Sequence, residues 1–165
     1  MLASVVHRMA EVGWGLCPVL GDHQNRPFAY TCGFTTAFNL PEVVLVGLEH
    51  PTSTNLLDAL GARMRDMPPD ERATAFEGRL DGVVMGYQVG FRRLGSFREV
   101  KGLHTTATIL GRRDFDVVQV LFPDREDRLP DDPACTPGIV TRQAWPPTTG
   151  VLPLLRSRDG GAVAS

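Results

Sequence analysis

Apolar positions along the chain change their spacing several times, and each change marks an element. Leu2, Val5, Val6, Met9 and Val12 recur at helical spacing, which predicts a short amphipathic helix ended by Gly13. Residues 14–20 read as a strand, and the polar run 21–27 as a hairpin loop with turn residues at both ends. Residues 28–34 return as the partner strand, with Phe28, Tyr30 and Cys32 alternating against Ala29, Thr31 and Gly33. The small side of that alternation admits a packed helix, another backbone or a ligand. Residues 35–40 show no period and read as a loop. Residues 43–48, VVLVGL, are apolar without alternation, as in a strand covered on both faces, with Pro41 and Glu42 at its start.

A helix is expected next, with Thr52 or Ser53 as N-cap, running to about Met64 and burying Leu56, Leu57, Leu60 and Met64. Residues 67–70 read as a loop, and 71–82 support no single assignment. Residues 83–94 read as one long strand, with Gly86 and Gly90 as bulges or bends. Ser96 with Glu99 three residues on has capping-box spacing, so 96–110 predicts a helix, broken near His104 by the Thr-rich run behind it. Residues 116–122 are another buried strand. Beyond Arg125 the chain is rich in Pro, Asp and Arg, with a weakly ordered arm expected around Gln143, Ala144, Trp145 and Pro146. The fold class predicted is α+β: a mostly antiparallel, strongly bent sheet of about five strands with two or three packed helices. Residues 1–146 are expected to form a single globular domain, and 147–165 an extended or disordered tail.

Composition narrows the function classes. The formal charge of −2 comes from 17 basic and 19 acidic residues that are interspersed, so no basic stripe for nucleic acid or an anionic membrane is present. Three cysteines without CxxC spacing point to reduced thiols in the cytoplasm rather than a disulfide framework or zinc site. His7 and Arg8 interrupt the apolar start, which argues against a secretory leader. The apolar run at 43–48 is far shorter than the ~20 residues of a membrane span. The histidines and acidic pairs lack metal-ligand spacing, and neither GxGxxG nor a Walker loop occurs, so no metal is assigned.

The motifs GWG at 13–15, PFAYTCGF at 27–34, LPEVVLVGL at 40–48, QVLFPD at 119–124, RLP at 128–130 and RQAWP at 142–146 stand in a distinctive order. In that order the chain resembles the bacterial domain-of-unknown-function family 4262, over about residues 13–146. Two positions depart from the family pattern: Leu40 replaces the usual histidine before Pro-Glu, and Asp131 follows Leu129-Pro130. The resemblance implies a shared fold and carries no activity.

Candidate chemistry gathers in three places. Tyr30, Thr31, Cys32 and Gly33 with Glu42 would line a pocket from adjacent strands; alternatively Tyr30 is a half-buried aromatic and Cys32 a small core residue. His50, Thr52 and Ser53 stand where a strand end opens onto a helix start, a common place for a phosphate or carboxylate, or simply an ordinary cap beside a surface histidine. A Cys32–His50 nucleophile and base would need those two to meet. Gln119, polar in an apolar strand, must be hydrogen-bonded, with Gln143 a candidate partner. Since no acid, base and nucleophile assemble, the leading expectation is a non-catalytic binding or interaction module for a protein or small-molecule partner. In that reading Trp145 and the C-terminal arm contact the partner, and a homodimer is one form. The alternative is a small enzyme or cofactor-binding domain like the flavin-reductase split barrels, with flavin in a pocket near residues 30–33, 42 and 50–53.

Overall fold

The computed structural model describes residues 1–100 and 102–147. Helix α1 (Leu2–Val12) ends on Gly13, whose left-handed φ of 99° and N–H to the Met9 carbonyl close the last turn. Strands β1 (Gly15–Val19) and β2 (Phe28–Cys32) form the expected hairpin. Strand β3 (Glu42–Val46) pairs antiparallel with β2 and parallel with β6 (Asp116–Leu121). Strands β4 (Leu80–Val84) and β5 (Tyr87–Ser96) complete a mixed sheet of six, in the order β1-β2-β3-β6-β5-β4, curled into a half-barrel. The α+β class and the bent sheet are as the sequence predicts, with one strand more and one parallel pair.

Both faces of the central strands are covered, which is why β3 is apolar without alternation. Val43 and Leu45 face α3 (Thr52–Asp66), packing with Leu57, Leu60, Met64, Trp14 and Val120. Val44 and Val46 face the other layer, where Val5 of α1 and Leu103 and Ala107 at α5 (His104–Leu110) close over Cys17, Tyr30 and Cys32. Each fully buried aliphatic side chain of these two cores contributes about 1.5–3 kcal/mol.

Several local expectations are corrected. Residues 35–40 are not a plain loop: helix α2 spans Phe34–Phe38. So short a helix cannot stand alone, and it is held from outside by Glu42 and by Phe34 and Phe38 packing on Trp14 at 6.3 and 5.7 Å between ring centroids. Neither Thr52 nor Ser53 caps α3; Pro51 occupies the N-cap, and the Ser53 N–H donates to the Glu49 carbonyl. The strand expected over 83–94 is instead a hairpin, because Met85-Gly86 turns the chain and Gly86 takes φ 77°. The register is irregular within the β4–β5 pairing, between Leu80 and Val84, and again in the β5–β6 pairing, between Arg93 and Gly95.

Ser96 and Glu99 do meet, with Glu99 Oε2 2.7 Å from the Ser96 N–H, but they close a single turn. The helix itself begins at His104 and includes the Thr-rich run. Its Thr106 hydroxyl donates to the Thr31 carbonyl at 2.9 Å, a long-range contact invisible to local propensity. The arm around residues 143–146 packs onto the sheet, with α6 (Pro137–Arg142) leading into it, and the loop expected at 67–70 instead opens the short helix α4 (Pro69–Arg72). The tail expected over 147–165 lies, apart from Pro147, outside the described residues. No helix among the described residues is long and apolar enough to cross a membrane.

Candidate functional site

The residues singled out from sequence separate into buried fastenings and a surface group. Thr31 and Glu42, both 0% exposed, form the first fastening. Beyond the last β2–β3 pair, Tyr30 with Val44, the Thr31 hydroxyl takes over the ladder: it accepts the Val43 N–H at 2.9 Å and donates to Glu42 Oε2 at 2.6 Å. The Glu42 carboxylate also accepts the N–H groups of Gly33, Thr35 and Phe34 at 3.0, 3.1 and 3.3 Å. These are the donors that a helix start leaves without internal partners. Gly33 makes the arrangement possible with φ 113°, and a Cβ there would lie 2.9 Å from the Gly13 carbonyl oxygen. The space a ligand anion would take is thus filled by the protein's own side chain.

Tyr30 and Cys32 lie in the α1/α5 core, 3% and 0% exposed. Burial pushes the Cys32 thiol up to about 12 and the Cys17 thiol up to about 11, with the Glu42 charge adding to both, and burial likewise raises the Tyr30 phenol. These thiols are inert packing groups rather than nucleophiles. His50 is exposed beyond the far end of β3, with Nδ1 3.0 Å from the Thr54 hydroxyl. The strand between it and Glu42 has five residues, roughly 16 Å at 3.3 Å per residue. The Cys32–His50 pair does not form, and the pocket expected from 30–33, 42 and 50–53 together is not assembled.

Gln119, also 0% exposed, donates from Nε2 to the Gln143 carbonyl at 2.6 Å, while its Oε1 has no partner among the described residues. Gln143 in turn accepts the Phe122 N–H at 2.9 Å and donates to the Phe122 carbonyl at 2.8 Å, so its amide replaces a neighbouring strand. The pairing expected of these two glutamines is present, through the Gln143 backbone. Trp145 is half-buried against Phe28, ring centroids 6.2 Å apart, and helps close the core.

The concave surface lies elsewhere. A cleft of about 510 Å³ opens between α3 and the β4–β5 hairpin. Leu56, with Thr52 and Asn55, comes from α3; Val83, Val84, Met85 and Tyr87 come from the hairpin. Leu48 and Phe122 add to the apolar lining, and Pro123, Asp124 and Arg125 contribute beyond β6. Met85 is 96% exposed at the hairpin tip. A second cleft of about 360 Å³ shares Leu48 and Thr52 with the first and carries Arg26, Glu49 and Arg142. Of the residues expected to form a site, only Thr52 lines either cleft; Ser53, 1% exposed, points into the packing.

The rim at Asp124 is built from one carboxylate. Burial alone would raise its pKa, but the N–H groups of Thr136, Arg128 and Glu126 and the Arg128 guanidinium at 3.0 Å hold it well below the usual carboxylate range. That side chain fixes the loop after β6 and is occupied in doing so.

Residues 8–136 match the family model described as "Domain of unknown function (DUF4262)". The chain belongs to this family. The matched stretch contains all six strands, the Thr31–Glu42 fastening and the lining of the larger cleft, whereas α6, Gln143 and Trp145 fall beyond it. No curated protein and no solved structure gives a match.

The larger cleft was missed from sequence because its apolar residues read as strand and helix interior. One signal was present: Val83-Val84-Met85-Gly86-Tyr87 places apolar side chains on both sides of a Gly turn, where a solvated hairpin tip would be polar.

Proposed function

We propose that this domain is a non-catalytic binding module, and that a small molecule occupies the cleft between α3 and the β4–β5 hairpin. The observation that carries the reading is the cleft's character. At about 510 Å³ it falls in the range of small-molecule sites, roughly 300–1,000 Å³, and its lining is mainly aliphatic and aromatic with a few convergent polar groups. Hydroxyl, amide and guanidinium groups orient a ligand, and the carboxylate present is engaged in holding its own loop. Val84→Asp places a charge in the apolar wall at a partly buried residue that packs on the edge of the α3 core. Titration of the purified protein with small amphipathic compounds, followed by calorimetry, should show binding that V84D loses while its melting transition is kept. Equal binding by V84D would remove the cleft from the reading.

The curled sheet and the junction of the two clefts at Thr52 support a more specific version, a split-barrel flavin domain. There the ring system would lie in the apolar cleft and the phosphate toward Arg26 and Arg142. Visible absorption of the natively purified protein, with native mass spectrometry on the same sample, decides it. A flavin spectrum and mass would establish that version, and a colourless protein of apo mass would eliminate a tightly held flavin.

A further inference from the structure

The charges around the clefts are not equally available. Arg125, exposed on the rim of the apolar cleft, makes no ion pair or side-chain hydrogen bond with any described residue. The acidic residue in the same lining, Asp124, already holds the Arg128 guanidinium at 3.0 Å and the Thr136 hydroxyl at 3.1 Å. Its negative charge is therefore compensated, and that of Arg125 is not. Arg142 sits differently: the smaller cleft it lines also holds the exposed carboxylate Glu49. On the α3 wall, Thr52 and Asn55 are exposed, and their side chains make no hydrogen bond with a described residue. An apolar trough thus carries one uncompensated cation and two uncommitted polar side chains.

We propose that the cleft takes an amphipathic organic anion, its aliphatic body against Leu56, Val84 and Phe122 and its carboxylate met by Arg125, with Thr52 and Asn55 as hydrogen-bonding neighbours. This rests on the cleft being the binding site and adds the ligand class. Charge complementarity selects the occupant: a neutral molecule of the same shape leaves the guanidinium without an anionic partner, whereas a carboxylate gains a charge-assisted hydrogen bond.

Decanoate and decanol, each below its aggregation limit, are the probes for calorimetry on the full chain. The charge-assisted hydrogen bond is made by the carboxylate and not by the alcohol, so decanoate should bind about tenfold tighter or better. Arg125→Gln should abolish that preference, bringing decanoate to about the affinity of decanol, while Arg142→Gln should keep the preference. Methyl resonances of Leu56 and Val84 should shift with either probe, which places the body in the trough. Equal affinity of the wild-type chain for both probes would overturn the anionic class and leave the cleft as a binding site. Loss of the preference in R142Q rather than R125Q would overturn the assignment to Arg125. Absence of binding by both probes, with no shift at Leu56 or Val84, would overturn the proposal and count against the cleft itself.

Discussion

The Thr31–Glu42 fastening and the cleft beside α3 use opposite materials for opposite ends. At the fastening, a fully buried carboxylate accepts three N–H groups and a hydroxyl, so four donors that would otherwise be stranded are paired. At the cleft, aliphatic and aromatic side chains from three elements stay partly uncovered, and Met85 is almost wholly exposed. Polar residues in a strand suggest a pocket, and apolar residues suggest a core; at these two places the assignments are exchanged. The physical reason is that an unpaired buried donor costs about 1–3 kcal/mol, so a short helix starting against a sheet requires an acceptor as a structural part. An exposed apolar surface costs less when it is confined to a trough, and it is the surface a ligand can cover.

The contrast can be broken most forcefully at Glu42. Glu42→Ala leaves the N–H groups of Gly33, Phe34 and Thr35 and the Thr31 hydroxyl without their acceptor. Urea unfolding should show a loss of about 3–5 kcal/mol, since each buried donor left unpaired costs about 1–3 kcal/mol and neighbouring groups recover part of it. A loss under about 1 kcal/mol would mean that the carboxylate is dispensable to the fold and free for other work.

Gln143→Ala comes next, since it strips both Phe122 backbone groups of their partner. A destabilisation of about 2–3 kcal/mol in the same assay would place the C-terminal arm in the folding unit. A change within about 0.5 kcal/mol would detach it.

The pH dependence sharpens the view of the thiols. Cys17 and Cys32 are held neutral in the fold, with pKa values of about 11 and 12 against 9.0 ordinarily. Above pH 9.0 the unfolded chain therefore loses protons that the folded chain keeps, so stability is full below that value and falls as pH rises toward 11–12. Asp124 acts with the opposite sign: its contribution is present above its ordinary 3.8 and is lost as pH falls below it. Melting temperature against pH should decline on both sides. Thiol labelling at neutral pH should reach Cys17 and Cys32 only at the rate of unfolding; fast labelling of the native protein would contradict their burial.

The smallest effect on stability is expected at the cleft. Met85→Ser, at a 96% exposed position, should change stability by no more than about 0.5 kcal/mol. A large loss of stability would show that the hairpin tip is packed rather than presented.

Much of this architecture was legible in the chain. The helix ended by Gly13, the β1–β2 hairpin, the doubly covered β3 and the Leu57, Leu60 and Met64 stripe follow from periodicity and turn residues, because burial of a regular element leaves its period in the sequence. The family could also be named from the order of its motifs. Other features depended on contacts between residues distant in sequence. Helix α2 exists because Glu42 reaches back to it, and the Thr-rich α5 is tied to β2 through Thr106 and the Thr31 carbonyl. Gln143 reaches across to Phe122 from beyond α6. The separation of Cys32 from His50, and the meeting of α3 with the β4–β5 hairpin around an open trough, were likewise decided in three dimensions. Local pattern specifies which face of an element is apolar; which of those faces is finally covered depends on where the other elements come to rest.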